Sequence, residues 1–372
     1  MKNETSLVAS SEALDPQSTN GLQRRSFLKG VGVAGAALAG GTLLATLGEG
    51  EAQAQSPKSL SAGDAAILRF LAAAELLEAD LWQQYAELGG ITPGKPNAYQ
   101  KALAKLDGDG SQYITSNTLD ELTHAQFLNA YLLSKGADPV DLDAFRTLPG
   151  SQATGAQPIG RLTNLMNLTV DTSWYTRYRS AGNPDLGDTF PQAIDLVNVP
   201  AIPRSNDDFG PTEHIQAIAN TAAFHFGMIE QGGSTLYSAM AQKASNLEVL
   251  RIVLSIGGDE VAHFLEWVDF AGNGVSSPIA PFTDPTNGLT FPDFNATGDP
   301  TLQTNLIFPV PCEFISANLP KCSVIRPTNP KGIAAGVVSF LTNTGLFTGQ
   351  SSAFFKTLNS LAKQADAAQR GF

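Results

Sequence analysis

The chain carries the stretch Asp-Glu-Val-Ala-His at residues 259–263, in which a glutamate precedes a histidine by three positions. Side chains three apart on a helix lie on one face, so Glu260 and His263 are placed to bind one metal ion or share a proton. The same spacing occurs at Glu121 and His124, inside another helical pattern. Because the chain has only four histidines, we interpret the two copies as halves of one site.

Apolar residues recur at helical spacing over four long stretches, which predict helices at 62–89, 111–135, 211–242 and 246–271. Ser61 is placed to cap the first of them. Carboxylates interrupt the apolar face of the first helix at Glu75 and Glu78, and that of the third at Glu230. A buried carboxylate is costly unless it is paired or bound to a metal.

The chain therefore reads Glu, Glu-x-x-His, Glu, Glu-x-x-His, with one part on each helix. This is the ligand set of two metal ions held inside a four-helix bundle. At about 1.5 Å per residue, each hairpin brings its carboxylates to the same height. The predicted ligands are Glu75, Glu78, Glu121, His124, Glu230, Glu260 and His263. The pattern leaves open whether Glu75 or Glu78 is the primary ligand, and whether the two ions are iron or manganese.

These motifs make the chain resemble the ferritin-like superfamily, and in particular exported ferritin-like proteins related to plant desiccation-related proteins. Residues 75–78 match the Leu-Glu-x-Leu-Glu motif of that family, although Ala74 replaces its first leucine. Glu230, followed by two glycines and Tyr237, matches the third helix. The resemblance covers residues 62–271 and implies an all-α, ferritin-like four-helix bundle with a long crossover connection. It leaves the reaction open.

Three regions follow from this interpretation: 1–54, 55–271 and 272–372. The first contains Arg24-Arg25, a short apolar run and Ala52-Gln53-Ala54, and it resembles a twin-arginine export signal. Cleavage there predicts a periplasmic or secreted protein without stable membrane insertion; the alternative is a membrane anchor. The second is the bundle, with an insertion at 137–210. The third is a loop-rich extension with terminal helices at 331–340 and 351–368.

Several residues that are not among the predicted ligands also have an expected structure or role. A helix is expected at 161–179 within the insertion. Cys312 and Cys322 are expected to form a disulfide in an oxidising compartment, the alternative being two unpaired, buried thiols. His225 is expected to be structural, and His214 to face solvent. Asp259 and Glu266 are expected to be exposed or to contact ligands.

Glycine pairs lie inside two of the predicted helices, at 232–233 and 257–258, each within a turn of a proposed ligand. A glycine costs a helix about 0.5–1 kcal/mol relative to alanine. One hypothesis is that these pairs allow close helix approach or leave room for a small oxidant. Ordinary tight packing is the alternative.

The formal net charge of −12 disfavours nucleic acid and anionic membrane surfaces as partners, because both require a basic face. The expected partners are metal ions and small oxidants, and an oligomer is possible. One hypothesis is a dimetal protein that reacts with oxygen or peroxide, with nearby electron donors in Tyr85, Tyr237 or Trp267. The other is a non-enzymatic stress or desiccation protein whose metal centre is structural or lost.

Overall fold

Four helices of 25 to 30 residues form the frame of the part of the chain that the structure describes. The computed structural model describes residues 59–177, 191–299, 302, 309–312, 315–324 and 329–370. The long helices are α1 (Ala62–Gly89), α3 (Gly110–Ser134), α5 (Thr212–Ala241) and α6 (Leu247–Asn273). A shorter helix, α2 (Ala98–Leu106), lies between the first two. The predicted all-α class and bundle are confirmed.

The helix ends follow local chemistry. The Ser61 side chain accepts a hydrogen bond from the Asp64 amide at the start of α1, as predicted. Asn97 and Gln100 form a reciprocal capping box at the start of α2. Asn246 caps α6 by accepting from the amide of Glu248. Each cap satisfies an amide that has no partner within its own helix.

The long helices pair as two antiparallel hairpins. In the first, the amide of Ile91 donates to Thr115 and the hydroxyl of Thr118 donates to the Trp82 carbonyl, so α3 runs back along α1. In the second, Asn220 of α5 donates to the Gly274 carbonyl at the end of α6. The apolar faces of both hairpins form one continuous core. Antiparallel pairing brings the middles of all four helices together.

The insertion differs from its prediction. Instead of a helix at 161–179, the structure has strand β1 (Leu168–Val170) and a single helical turn, α4 (Trp174–Arg177); residues 178 and 179 lie outside the described residues. Strand β1 pairs antiparallel with β2 (Leu196–Val199). Both ends of β1 are buried against the core, so its apolar residues have a tertiary role that periodicity alone did not reveal.

The described residues of the C-terminal extension form two pairs of short strands and two α-helices. Strands β3 (Phe282–Thr283) and β4 (Thr290–Phe291) pair, as do β5 (Pro309–Val310) and β6 (Cys322–Ser323). Helices α7 (Ile333–Asn343) and α8 (Ser352–Asp366) follow. Helix α8 packs on α1, and α7 packs on α5 and α8. The Asp366 carboxylate accepts from the amides of Ala334 and Ala335, so the end of α8 caps the start of α7.

The predicted disulfide is not formed. Cys312 and Cys322 are both thiols, the first buried and the second exposed. The β5–β6 register places Cys322 opposite Val310, two residues before Cys312. Diagonal neighbours in an antiparallel pair lie about 7–8 Å apart, which exceeds the usual Cα separation across a disulfide.

The export signal expected at 1–54 lies outside the described residues. Within the described part of the chain, no helix combines the length and apolar character needed to cross a membrane.

Candidate metal centre

The first half of the cluster surrounds His124 on α3. Its Nδ1 atom lies 3.0 Å from Glu121 Oε2, 3.4 Å from Glu75 Oε2 and 4.0 Å from Glu260 Oε1. Glu121 and His124 share a face because they are three residues apart, and the other two carboxylates arrive from α1 and α6. These four side chains form a group able to hold a metal ion.

The second half surrounds His263 on α6. Its Nδ1 atom lies 3.1 Å from Glu121 Oε1 and 3.2 Å from Glu230 Oε2. Glu121 therefore offers one oxygen to each half of the cluster. These three residues are a second group able to hold an ion.

Glu78 belongs to a third group, with Glu230 and Glu260. Glu75 lies instead with His124, so the two α1 carboxylates, which the sequence did not distinguish, occupy different places. Glu78 is only partly buried as a residue, but its Oε1 atom is closed to solvent. The structure thus brings all seven predicted ligands into one cluster, while their binding of a metal stays a prediction.

Several carboxylate oxygens of the cluster lack hydrogen-bond donors from the described residues, and divalent cations would compensate them. Both carboxylate oxygens of Glu260 and the Oε1 atom of Glu78 are buried and accept no hydrogen bond from the described residues. Buried polar atoms are ordinarily satisfied, because leaving them unpaired costs about 1–3 kcal/mol each. Five carboxylates facing two imidazolium groups would leave three negative charges uncompensated. Two divalent ions with neutral imidazoles would leave one.

Crowding shifts the titration of these groups. Burial, together with Glu121, Glu230 and Glu75, raises the pKa of Glu78 well above its usual range. Burial raises the pKa of Glu121 to about 8, although both histidines oppose the rise. Burial would lower the pKa of His124, but Asp259, Glu121 and Glu75 raise it to about 12. Without metal, the cluster therefore retains protons that bound cations would displace.

Two aspartates orient the histidines from outside the cluster. Asp259 Oδ2 lies 3.3 Å from His124 Nε2, and Asp120 Oδ2 lies 3.3 Å from His263 Nε2. Each aspartate directly precedes the glutamate of one motif and contacts the histidine of the other motif. This fixes both imidazoles with Nδ1 toward the carboxylates. Asp120 was not predicted from the sequence. The signal that could have found it is that both copies of Glu-x-x-His are preceded by an aspartate.

In each glycine pair, one glycine is tightly packed against a neighbouring helix and the other is not. A Cβ atom on Gly233 would collide with Glu260 Oε2, and one on Gly257 would lie 2.7 Å from the Tyr237 Cβ atom. Gly232 and Gly258 have no neighbour within 4 Å of an added Cβ. Close helix approach is thus the role of one member of each pair, while the other has space beside it.

The aromatic residues around the cluster are not symmetric. Tyr237 donates a hydrogen bond from its hydroxyl to Glu75 Oε1, whereas the Tyr85 hydroxyl lies 2.7 Å from His225 Nδ1. Trp82 donates from Nε1 to Glu230 Oε1 at 3.1 Å, and the Trp267 ring stacks on Trp82. The sequence spacing of Tyr85 and Tyr237 suggested matching roles, but only Tyr237 contacts a predicted ligand.

The remaining histidines lie away from the cluster. His225 is fully buried, and burial lowers its pKa to about 3, as suits a neutral structural histidine. The solvent-facing position expected for His214 is wrong. The residue is 4% exposed, and its ring contacts Asp208, in a short 3-10 helix before α5, and Asp284, in the C-terminal extension. Helical periodicity cannot show such contacts.

A bundle of four long helices around buried carboxylates and imidazoles defines the ferritin-like class. A family model described as a ferritin-like domain matches residues 63–265, more than half of the chain. The chain therefore belongs to the ferritin-like domain family. No curated protein and no solved structure showed significant similarity to it.

Proposed function

We propose that the protein binds two iron or manganese ions in this cluster and reacts with oxygen or peroxide, as a ferroxidase or a peroxide-removing protein. The observation that carries the proposal is the set of buried carboxylate oxygens on Glu78 and Glu260 that accept no hydrogen bond from the described residues, in a cluster where Glu121 contacts both imidazoles. Ferrous or manganous ions there would supply the two electrons that reduce dioxygen to peroxide, or peroxide to water.

The residues of the chain have separate tasks in this proposal. Glu121 offers an oxygen to each half, and His124 and His263 complete one half each. Asp259 and Asp120 hold the imidazoles in place from outside. Tyr237, hydrogen-bonded to Glu75, is placed to deliver a proton or an electron at the edge of the cluster. Trp82 and Trp267 extend an aromatic path from Glu230.

Turnover is tested by adding ferrous iron and oxygen, or ferrous iron and peroxide, to the purified protein and following ferric absorbance. The matched variant is Glu121→Gln, which keeps the shape of the Glu121 side chain and removes its charge. Oxidation faster than in protein-free buffer, and lost in the variant, supports the proposal. Equal rates in wild type and variant would refute it.

The second candidate is a stress- or desiccation-related protein in which the metals only hold the helices together. It is favoured by the position of the cluster, since all four long helices contribute to it. Two bound metals that raise the melting temperature but give no oxidation with either oxidant would select this role over the first.

We also propose that residues 1–54 export the folded chain to the periplasm by the twin-arginine route. The support is the Arg24-Arg25 pair, the apolar run after it and the small residues at 52–54. Replacing both arginines by lysine should leave the protein in the cytoplasmic fraction with its signal uncleaved. Unchanged periplasmic recovery of that variant would reject the proposal.

A further inference from the structure

An apolar cavity of about 70 Å³ lies beside the cluster, between the bundle and the C-terminal extension. Helices α1 and α5 form one wall, through residues such as Leu77, Leu81 and Ile229. The extension forms the other, with Val338 on α7 and Leu358 on α8. The terminal helices thus complete a chamber that the bundle alone would leave open.

One end of the cavity reaches the proposed metal centre. Among the described residues that line it, Glu78 is the only one with a polar side chain. The buried Oε1 atom of Glu78 accepts no hydrogen bond from the described residues, and the same carboxylate groups with Glu230 and Glu260. A molecule in the cavity would therefore touch apolar walls on most sides and the edge of the centre on one side.

Gly232 keeps part of this space open. It lines the cavity, and an added Cβ would meet nothing within 4 Å. Packing therefore does not require glycine here, and alanine would favour the helix more. Its neighbour Gly233 differs, because a Cβ there would collide with Glu260. The missing side chain at Gly232 has a clear physical effect: it enlarges the cavity beside the centre.

Size and polarity restrict the occupant. An apolar cavity of about 150 Å³ stays dry and binds benzene or xenon, so a cavity of about half that volume suits xenon or a diatomic gas. Hydrogen peroxide would leave its two hydroxyl groups without partners along the apolar walls. We propose that this cavity binds dioxygen and admits it to the metal centre, which makes dioxygen the oxidant that arrives by this route.

The test uses xenon as a probe and one substitution that fills the cavity. Val338 is 6% exposed and lines the cavity, so Val338→Phe places a ring inside it. Ser339 is the next residue on α7 and is exposed, so Ser339→Phe adds the same ring facing outward. Gly232→Ala is a milder filling variant for which the structure has room. Crystals pressurised with xenon report occupancy by anomalous diffraction.

We expect one xenon peak between Val338 and Glu78 in the wild type and in Ser339→Phe, and a lost peak in Val338→Phe. In ferrous-loaded protein, Val338→Phe should slow oxidation by dioxygen about tenfold and leave oxidation by hydrogen peroxide unchanged. Gly232→Ala should weaken the xenon peak and slow the dioxygen reaction less. No xenon peak in the wild type, or normal dioxygen kinetics in a variant that excludes xenon, would overturn the proposal.

This inference rests on the proposed function, and the two fail in different ways. If the chain binds no metal, the proposed function fails whatever the xenon data show. If ferrous-loaded protein is oxidised and the filled cavity makes no difference, the proposed function stands and the dioxygen route is wrong. A cavity that binds benzene as well as xenon would also overturn the size argument for a diatomic gas.

Discussion

At the scale of single residues, the orientation of the two histidines in the centre depends on carboxylates on both sides of each ring. His124 and His263 each lie between the carboxylate cluster on one side and an aspartate on the other. The hydrogen bond to His124 also holds the pKa of Asp259 below its usual range. Asp259 and Asp120 are therefore positioning residues: they contact the Nε2 atoms of the histidines and so determine that Nδ1 faces the carboxylate cluster.

The first prediction concerns these two aspartates. Asp259→Asn and Asp120→Asn should each weaken metal binding by about 10–100-fold, because an amide orients and polarises imidazole less well than a carboxylate. Competition against a chelator measures the affinity. Asp138→Asn, at an exposed loop position, is the matched control and should behave as the wild type. Wild-type metal affinity in both Asp259→Asn and Asp120→Asn would show that the aspartates are not needed for metal binding.

The second prediction compares adjacent glycines on α5. Gly233→Ala should displace Glu260 and lower metal content, because the new Cβ would collide with the Glu260 carboxylate. Gly232→Ala should keep the metal content and raise the free energy of unfolding by about 0.5–1 kcal/mol through helix propensity. Elemental analysis and urea unfolding of both variants measure these effects. Equal metal content in the two would contradict the close approach assigned to Gly233.

At the scale of elements, the two antiparallel hairpins place carboxylates from four helices at one level. The sequence predicted the long helices to within two or three residues at each end, because their apolar periodicity and stop signals are local. It failed at 161–179, where tertiary contacts select a strand and one helical turn over a longer helix. Likewise, His214 is buried between Asp208, just before its helix, and the distant Asp284, and helical periodicity carries no information about either contact.

For the candidate site, the sequence predicted the ligands but not the residues around them. All seven proposed ligands lie in one cluster, since i to i+3 spacing and helix length are readable from the chain. The residues that contact the ligands could not be predicted from the sequence. The contact of Asp120 with His263 joins residues 143 positions apart, and that of Tyr237 with Glu75 joins residues 162 apart. Such pairings depend on how the hairpins dock, and a single sequence does not specify this.

The third prediction concerns α8, which covers α1 with an apolar face. Leu358 is 1% exposed within that face, so Leu358→Ala should lower the free energy of unfolding by about 2–5 kcal/mol. Lys356→Ala, on the exposed side of the same helix, is the control and should change it by less than about 0.5 kcal/mol. Urea unfolding followed by circular dichroism measures both. A small effect at Leu358 would mean that the extension is not part of the folded core.

At the scale of the whole molecule, the proton balance of the centre links stability to pH and to metal. The folded, metal-free protein retains a proton on Glu121 up to its pKa of about 8, whereas an unfolded chain loses that proton near pH 4.5. His124, with a pKa raised to about 12, acts in the same direction above pH 6.5. The folded state therefore binds more protons, and its stability falls as pH rises.

The fourth prediction follows from this difference in bound protons between the folded and unfolded states. Between pH 6.5 and 8, the metal-free protein should lose about 1.4 kcal/mol of unfolding free energy per pH unit for each extra proton that it holds. His225 opposes this trend only below pH 6.5, because burial lowers its pKa to about 3. Urea unfolding with a chelator at the two pH values measures the change. A metal-free protein that is more stable at pH 8 would contradict this proton balance.

Added metal should reverse the trend. Cations bind deprotonated carboxylates and neutral imidazoles, so affinity, and the stability that it provides, should increase with pH across the same window. The metal-loaded protein unfolded under the same conditions is the comparison. A pH dependence unchanged by metal would show that the titrating groups are not the ligands.

The number of metal ions bound per chain decides whether the buried cluster is a dimetal centre. Purified protein, reconstituted anaerobically with ferrous or manganous ions and freed of excess metal, is analysed for metal and protein together. We expect two ions per chain in the wild type and a clear loss in the doubly substituted Glu121→Gln, Glu260→Gln variant. Fewer than one ion per wild-type chain, even after reconstitution, would contradict it.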